Sequence, residues 1–217
     1  MLESSTEQLQ KKPVSSKPET LIRVLHVDDD ADFLKCSKRI LGVHDSFQIE
    51  TALSVKEALQ KLGQKSYDVI VSDHVMPEKN GLDLLKELRD KGNDIPFILF
   101  TGKGREEVAI EALNLGADQY VNKIGKPEVV YHELTHAIRE MMKIRETEKA
   151  LQKSEEKYRR LFENAPVVIL TLDLKGNVTS VNKVAEEYGF KKDEIVGKNM
   201  RKFVFKRYLP KLLKDFA

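Results

Sequence analysis

With one cysteine among its 217 residues, the chain can neither close an internal disulfide nor assemble a cysteine metal cluster. That residue, Cys36, falls in a predicted helix and is expected to be a small buried apolar residue with no redox role. Long apolar runs are also missing. None approaches the roughly 20 residues that span a bilayer, and the opening MLESSTEQLQKKP lacks the apolar core of a secretory signal. A cytoplasmic protein with no membrane partner is therefore expected. Strong net charge is absent too, the formal total being +2. That balance hides an asymmetry: residues 21–146 hold 18 Lys/Arg against 22 Asp/Glu, a net of −4, whereas residues 147–217 hold 16 against 10, a net of +6. The two parts face different partners or each other.

What is present starts at Leu21. Residues 1–20, rich in Ser, Lys, Glu and Gln and carrying Pro13 and Pro18, offer almost nothing to bury and are expected to form a disordered tail. LIRVLHV (21–27) reads as a buried strand running into Asp28-Asp29-Asp30, after which Phe33, Leu34, Ile40 and Leu41 mark a helix face. FQIETA (47–52) alternates as a strand should. Ser54 then caps a helix bearing Val55, Ala58, Leu59 and Leu62, which Gly63 is expected to end. Tyr67 to Ser72 is a third strand, followed by a helix with Leu82, Leu84, Leu85 and Leu88 that stops near Gly92. IPFILFT behind Pro96 is a fourth, ending in Thr101; a helix closed by Gly116 and a fifth strand, DQYVNK, end at Lys123. Strands alternating with helices need crossovers that return the chain to the same edge, so the predicted fold class is α/β with a five-stranded parallel, doubly wound sheet.

From Pro127 a helical pattern runs without Gly or Pro to Pro166, and Ile144, Leu151 and Tyr158 recur at seven. A long charged helix that joins two domains and pairs with a second copy is expected, making the protein a homodimer. VVILTLDLKGNVTSVN (167–182) carries a hairpin signal around Lys175-Gly176-Asn177, and short helical patterns follow at 183–188 and 192–196. In the last stretch, Lys198, Arg201, Lys202, Lys206, Arg207, Lys211 and Lys214 interleave with Phe203, Phe205 and Tyr208. This pattern suits either nucleic acid or a solvated basic face over an aromatic core.

The chemistry points to VIVSDHVMP (69–77), where an apolar strand delivers Asp73 to a loop. A strand-ending aspartate serves either as a cap or as a functional carboxylate at the ligand edge of an open α/β sheet. Other strand ends deliver Asp28, Asp29, Thr101 and Lys123 to that same edge. Three crowded carboxylates call for a cation, and hard oxygen ligands with room for water suit Mg²⁺. If Asp73 attacked phosphorus, the metal, Lys123 and Thr101 are the groups that would stabilise the charge on the equatorial oxygens.

The motifs VDDD (27–30), DHVMP with Asn80-Gly81, FILFTG (97–102) and GADQYVNK (116–123) together make residues 21–139 resemble a response-regulator receiver domain of two-component phosphorelays, with a flavodoxin-like sheet. The resemblance implies that Asp73 is the phosphoacceptor and that Asp28, Asp29, Asp73 and the Val75 backbone carbonyl bind the metal. It also implies that Thr101 is the switch hydroxyl, Lys123 the phosphate-pairing lysine and Tyr120 the aromatic residue that turns inward on activation. Val75 and Lys103 fall where phosphoryl lifetimes are tuned. The family's proline directly after the lysine is replaced by Ile124, with proline displaced to Pro127. A trans Lys123–Ile124 bond and a differently shaped loop are therefore expected.

Residues 140–163 read as the helical linker and residues 164–217 as a small α+β segment similar to the first part of a PAS domain, through EEKYRRLFENAPVVILTLDLKGNVTSVN and FKKDEIVGKN. The family's later strands are not expected in it. The combination resembles archaeal receiver–PAS proteins. The resemblance implies a phosphorylation switch rather than an enzyme, with a histidine kinase as donor and a downstream protein partner. An alternative is a transcription regulator binding DNA through residues 198–214. An aspartyl-nucleophile phosphatase would need Asp-x-Asp-x-Thr on the first strand, and Asp28-Asp29-Asp30-Ala31-Asp32 lacks the threonine.

Overall fold

The strands β3 (Val69–Ser72) and β4 (Phe97–Thr101) are buried at every position because helices cover both faces of the sheet they occupy. In the computed structural model, which describes residues 21–43, 46–102 and 106–203, they lie at the centre of five parallel strands. β1 (Ile22–Val27), β2 (Phe47–Ala52) and β5 (Gln119–Asn122) complete the sheet in the order β2-β1-β3-β4-β5, every pair parallel as strands alternating with helices require.

Side chains two residues apart share a face. Leu25, Val27, Ile70, Phe97 and Leu99 therefore point one way, onto α2 (Val55–Gln64), α3 (Gly81–Asp90) and α4 (Glu106–Asn114). Val24, Val69, Val71, Ile98 and Phe100 point the other way, onto α1 (Ala31–Leu41) and the first turns of α5 (Pro127–Glu163), where Val130, Leu134 and Ile138 close the layer. Each such side chain contributes roughly 1.5–3 kcal/mol on full burial.

Helix starts follow capping chemistry. Asp30 accepts from the amides of Asp32 and Phe33 to begin α1, and Asn80 with Asp83 forms a reciprocal capping box at α3. Two expectations are corrected. Gly63 lies inside α2, which continues through Gln64; a Cβ there would meet nothing within 4 Å, so the glycine costs helix propensity without ending the helix. Cys36 is exposed. The inward face of α1 is made by Leu34, Ser37 and Leu41 at helical spacing, and Cys36 falls outside it.

The chain divides into two compact units, residues 1–144 and 145–217, and α5 crosses that boundary. In the second unit β6 (Leu170–Leu172) pairs antiparallel with β7 (Val178–Val181) through a turn in which Gly176 adopts φ +79°. α6 (Val184–Glu187), α7 (Lys192–Ile195) and a 3₁₀ turn at Met200–Lys202 follow. Val178, Val181, Ala185 and Ile195 form its small core. Asn182, buried in this unit, donates to the carbonyls of Phe162 and Val167 and accepts from the Ile169 amide. Among the described residues no helix is long and apolar enough to cross a membrane. The tail, Lys103 and the basic and aromatic residues from Phe205 to Lys214 lie outside the described residues.

Candidate functional site

Strand order brings the acids together. β1 and β3 are neighbours; the Asp73 amide donates to the Val27 carbonyl at 2.8 Å and the Asp28 amide to the Ala52 carbonyl at 3.0 Å, so both aspartates leave the sheet side by side. Lys123 follows β5, on the far side of β4, where its amide donates to the Thr101 carbonyl at 3.0 Å. Its long side chain reaches back to the acids. The ammonium contacts Asp73 Oδ1 at 2.8 Å and Asp28 Oδ2 at 2.5 Å, bridging two carboxylates that are only 8 % and 3 % exposed. The second oxygens are held by backbone: Asp28 Oδ1 accepts from the Asp30 amide and Asp73 Oδ2 from the Val75 amide, each at 2.9 Å.

The loop after β3 fixes Asp73 further. The Gly81 amide donates to the His74 carbonyl at 3.0 Å and the Ser72 hydroxyl to the Asp73 carbonyl at 2.9 Å. A Cβ on Gly81 would overlap that same Asp73 carbonyl, so the close packing of α3 against the loop requires glycine.

Burial raises the Asp28 carboxyl above its ordinary value, against the opposing pull of Lys123 and of the Asp30 amide. Behind the acids lies a residue to which sequence reasoning gave no role, His26. It is fully buried on the α1/α5 face, Nδ1 shares a 2.9 Å hydrogen bond with the Ser37 hydroxyl, and Nε2 has no partner among the described residues. Desolvation, then the charge of Lys123, lowers its pKa from 6.5 to about 3, so it is neutral at physiological pH. Its strand phase was the available signal, because it shares a face with Val24.

Of the residues singled out by sequence, Asp28, Asp73 and Lys123 meet directly. Thr101 is buried at the end of β4, its backbone tied to Lys123. Asp29 is exposed and takes no part in the Lys123 pairing, and Val75 is exposed. Tyr120 is half-buried and packs on the core facing α2, α3 and α4. The Lys123–Ile124 bond is trans; Ile124 is 71 % exposed, and its amide donates to Asn122 Oδ1 at 2.8 Å.

Among the described residues no group of three or more His, Cys, Asp or Glu side chains is gathered as a metal-ligand set. The donors that do converge are two carboxylates, hard oxygens of the kind Mg²⁺ takes while keeping several waters, and softer metals would want nitrogen or sulfur. The donor chemistry fits Mg²⁺. An ordered, water-poor carboxylate beside a lysine and a buried hydroxyl-bearing strand end can accept an electrophile and neutralise the charge that develops on it.

Residues 24–139 match the response regulator receiver domain, and residues 156–215 match the PAS fold. The response regulator SaeR of Staphylococcus aureus (strain USA300) is 35% identical over 123 residues, 57% of this chain and 53% of the relative. The chain thus spans about half the length of the curated relatives it matches. Among solved structures, a CheY-like receiver domain protein from Methanospirillum hungatei JF-1 is 28% identical with a TM-score of 0.51, covering 57% of this chain and 98% of that one. A receiver domain protein from Clostridium thermocellum is 29% identical with a TM-score of 0.53, covering 58% and 98%.

Proposed function

Because the chain belongs to the response regulator receiver family, we propose that Asp73 accepts a phosphoryl group from a histidine kinase and that the added charge throws a switch read by the rest of the protein. One observation carries this reading: the Lys123 ammonium bridges Asp28 and Asp73 at the ligand edge of the sheet. Asp73 Oδ1 would attack phosphorus as the P–N bond to the kinase's phosphohistidine breaks and the imidazole nitrogen leaves with the electron pair, while the Val75 amide keeps the other carboxylate oxygen oriented. Lys123 would meet the transferred oxygens as their charge grows, and Thr101, at the end of the neighbouring strand, would follow with its hydroxyl. Mg²⁺ held by Asp28, Asp29, Asp73 and the Val75 carbonyl would supply charge neutralisation for the same oxygens.

Phosphorylation exchanges the single charge of the carboxylate for the roughly two of an acyl phosphate, a net gain of about one negative charge together with three acceptor oxygens, which bias a two-state loop. Tyr120, half-buried on β5, is the residue proposed to change packing in response. The chain acts as a phosphoacceptor switch rather than as an enzyme, and its PAS-like unit passes the state to a downstream protein. Exposed Ile144, Leu151 and Tyr158, seven residues apart on α5, support pairing with a second copy.

Treatment of the full chain with an acyl phosphate, with and without Mg²⁺, tests the reading by intact mass. One phosphoryl group should appear with Mg²⁺ and none on Asp73→Ala. A wild-type chain that gains nothing, or an alanine variant that gains equally, refutes it.

A further inference from the structure

A lysine has a flexible four-carbon stem, and the loop that follows Lys123 is poorly placed to restrain it, since Ile124 and Gly125 are exposed. Yet its ammonium occupies one position, against two carboxylates. The remaining contacts explain how. Nζ lies 4.5 Å from the centroid of the Phe33 ring, on α1, and 5.4 Å from that of Phe100, on β4. Both are within the range in which the negative ring face attracts a cation.

The two rings stand 6.0 Å apart and are wedged from behind: Tyr131 of α5 stacks on Phe33 at 6.5 Å and meets Phe100 edge-on at 6.2 Å. His26 packs against both, at 6.0 and 5.9 Å. Four elements of the fold thus fix two aromatic faces that Lys123 itself does not carry.

We infer that Phe33 and Phe100 form an aromatic seat that positions the Lys123 ammonium between Asp28 and Asp73. The seat holds the cation independently of the carboxylates. When Asp73 becomes an acyl phosphate its oxygen no longer carries the same charge, and a lysine held only by ion pairing would swing to Asp28 or to water. Held by the rings, it stays where the phosphoryl oxygens arrive. Phe33 and Phe100 are accordingly positioning residues. Their consequence for transfer rests on Asp73 being the phosphoacceptor, but the seat itself does not.

Nuclear magnetic resonance of the full chain with ¹³C-labelled lysine separates the two. Ring currents should displace the Lys123 ε-methylene protons upfield of those of the other lysines, Phe33→Leu should return them to the common position, and Phe33→Tyr should restore the displacement. In parallel, the rate of phosphoryl uptake from acetyl phosphate with Mg²⁺ should fall about three- to tenfold in Phe33→Leu and recover in Phe33→Tyr. Phe100→Leu, on a different element, should reproduce both changes and serves if Phe33→Leu fails to fold. An ε-methylene at the ordinary position in the wild type, or one still displaced in folded Phe33→Leu, overturns the seat, and uptake unchanged in folded Phe33→Leu beside an active wild type overturns its role in transfer. A displaced ε-methylene in a wild-type chain that takes up no phosphoryl group upholds the seat while refuting the role of Asp73.

Discussion

Acidification from about pH 7 to about pH 5 should cost the receiver unit roughly 2 kcal/mol through His26 alone. The imidazole is fully buried, and burial together with Lys123 moves its pKa from 6.5 to about 3. Between those values the unfolded chain binds a proton that the folded chain refuses, so stability falls as pH falls. The loss begins near the unfolded value and grows by about 1.4 kcal/mol per pH unit until the folded value is reached. Asp28 acts in the opposite sense, because its raised carboxyl pKa makes the fold bind its proton more readily as pH drops. The control must therefore keep Asp28. His26→Val combined with Ser37→Ala does so and leaves no stranded hydroxyl. Urea unfolding by circular dichroism at both pH values, without Mg²⁺, should show the variant losing about 2 kcal/mol less than the wild type. Equal losses, or a His26 imidazole that titrates near its ordinary value, would refute the reasoning.

Gly81→Ala drives a Cβ into the Asp73 carbonyl, so phosphoryl uptake should fall more than tenfold at a stability cost of about 1–3 kcal/mol, measured by intact mass and thermal melting. Asn182→Ala strands the carbonyls of Phe162 and Val167 and the Ile169 amide; it should cost the second unit about 2–4 kcal/mol, seen as faster amide exchange in β6 and β7 with β3 unchanged. Arg89 donates to the carbonyls of Asn93, Ile95 and Gly116 from one planar fork. Arg89→Lys should lose about 1–2 kcal/mol by melting, with phosphoryl uptake unaffected.

The central strands were legible in the sequence because a strand covered on both faces leaves an unbroken apolar run, as VIVS and FILFT do. The order of strand and helix then dictated the parallel sheet. Asp28, Asp73 and Lys123 could be assigned to one edge because a residue at the end of a parallel strand has few other places to go. Side-chain direction was harder. The habits of cysteine put Cys36 inside, whereas the phase of α1 turns it outward and gives its place to Ser37, whose burial makes sense only with His26 opposite. The aromatic seat draws on α1 and β4, and no local pattern announces that Phe33 and Phe100 meet over a lysine 23 residues beyond the nearer of them. Gly63 shows the reverse error, since a glycine ends a helix only where the backbone needs it.

The three hydrogen bonds of the Asn182 side chain have a mechanical meaning. One amide fastens the last turn of α5, the following loop and the start of β6 to the end of β7, so the loop has no slack. A tug or twist delivered to that last helical turn therefore bears on the hairpin through the Asn182 amide as well as along the chain.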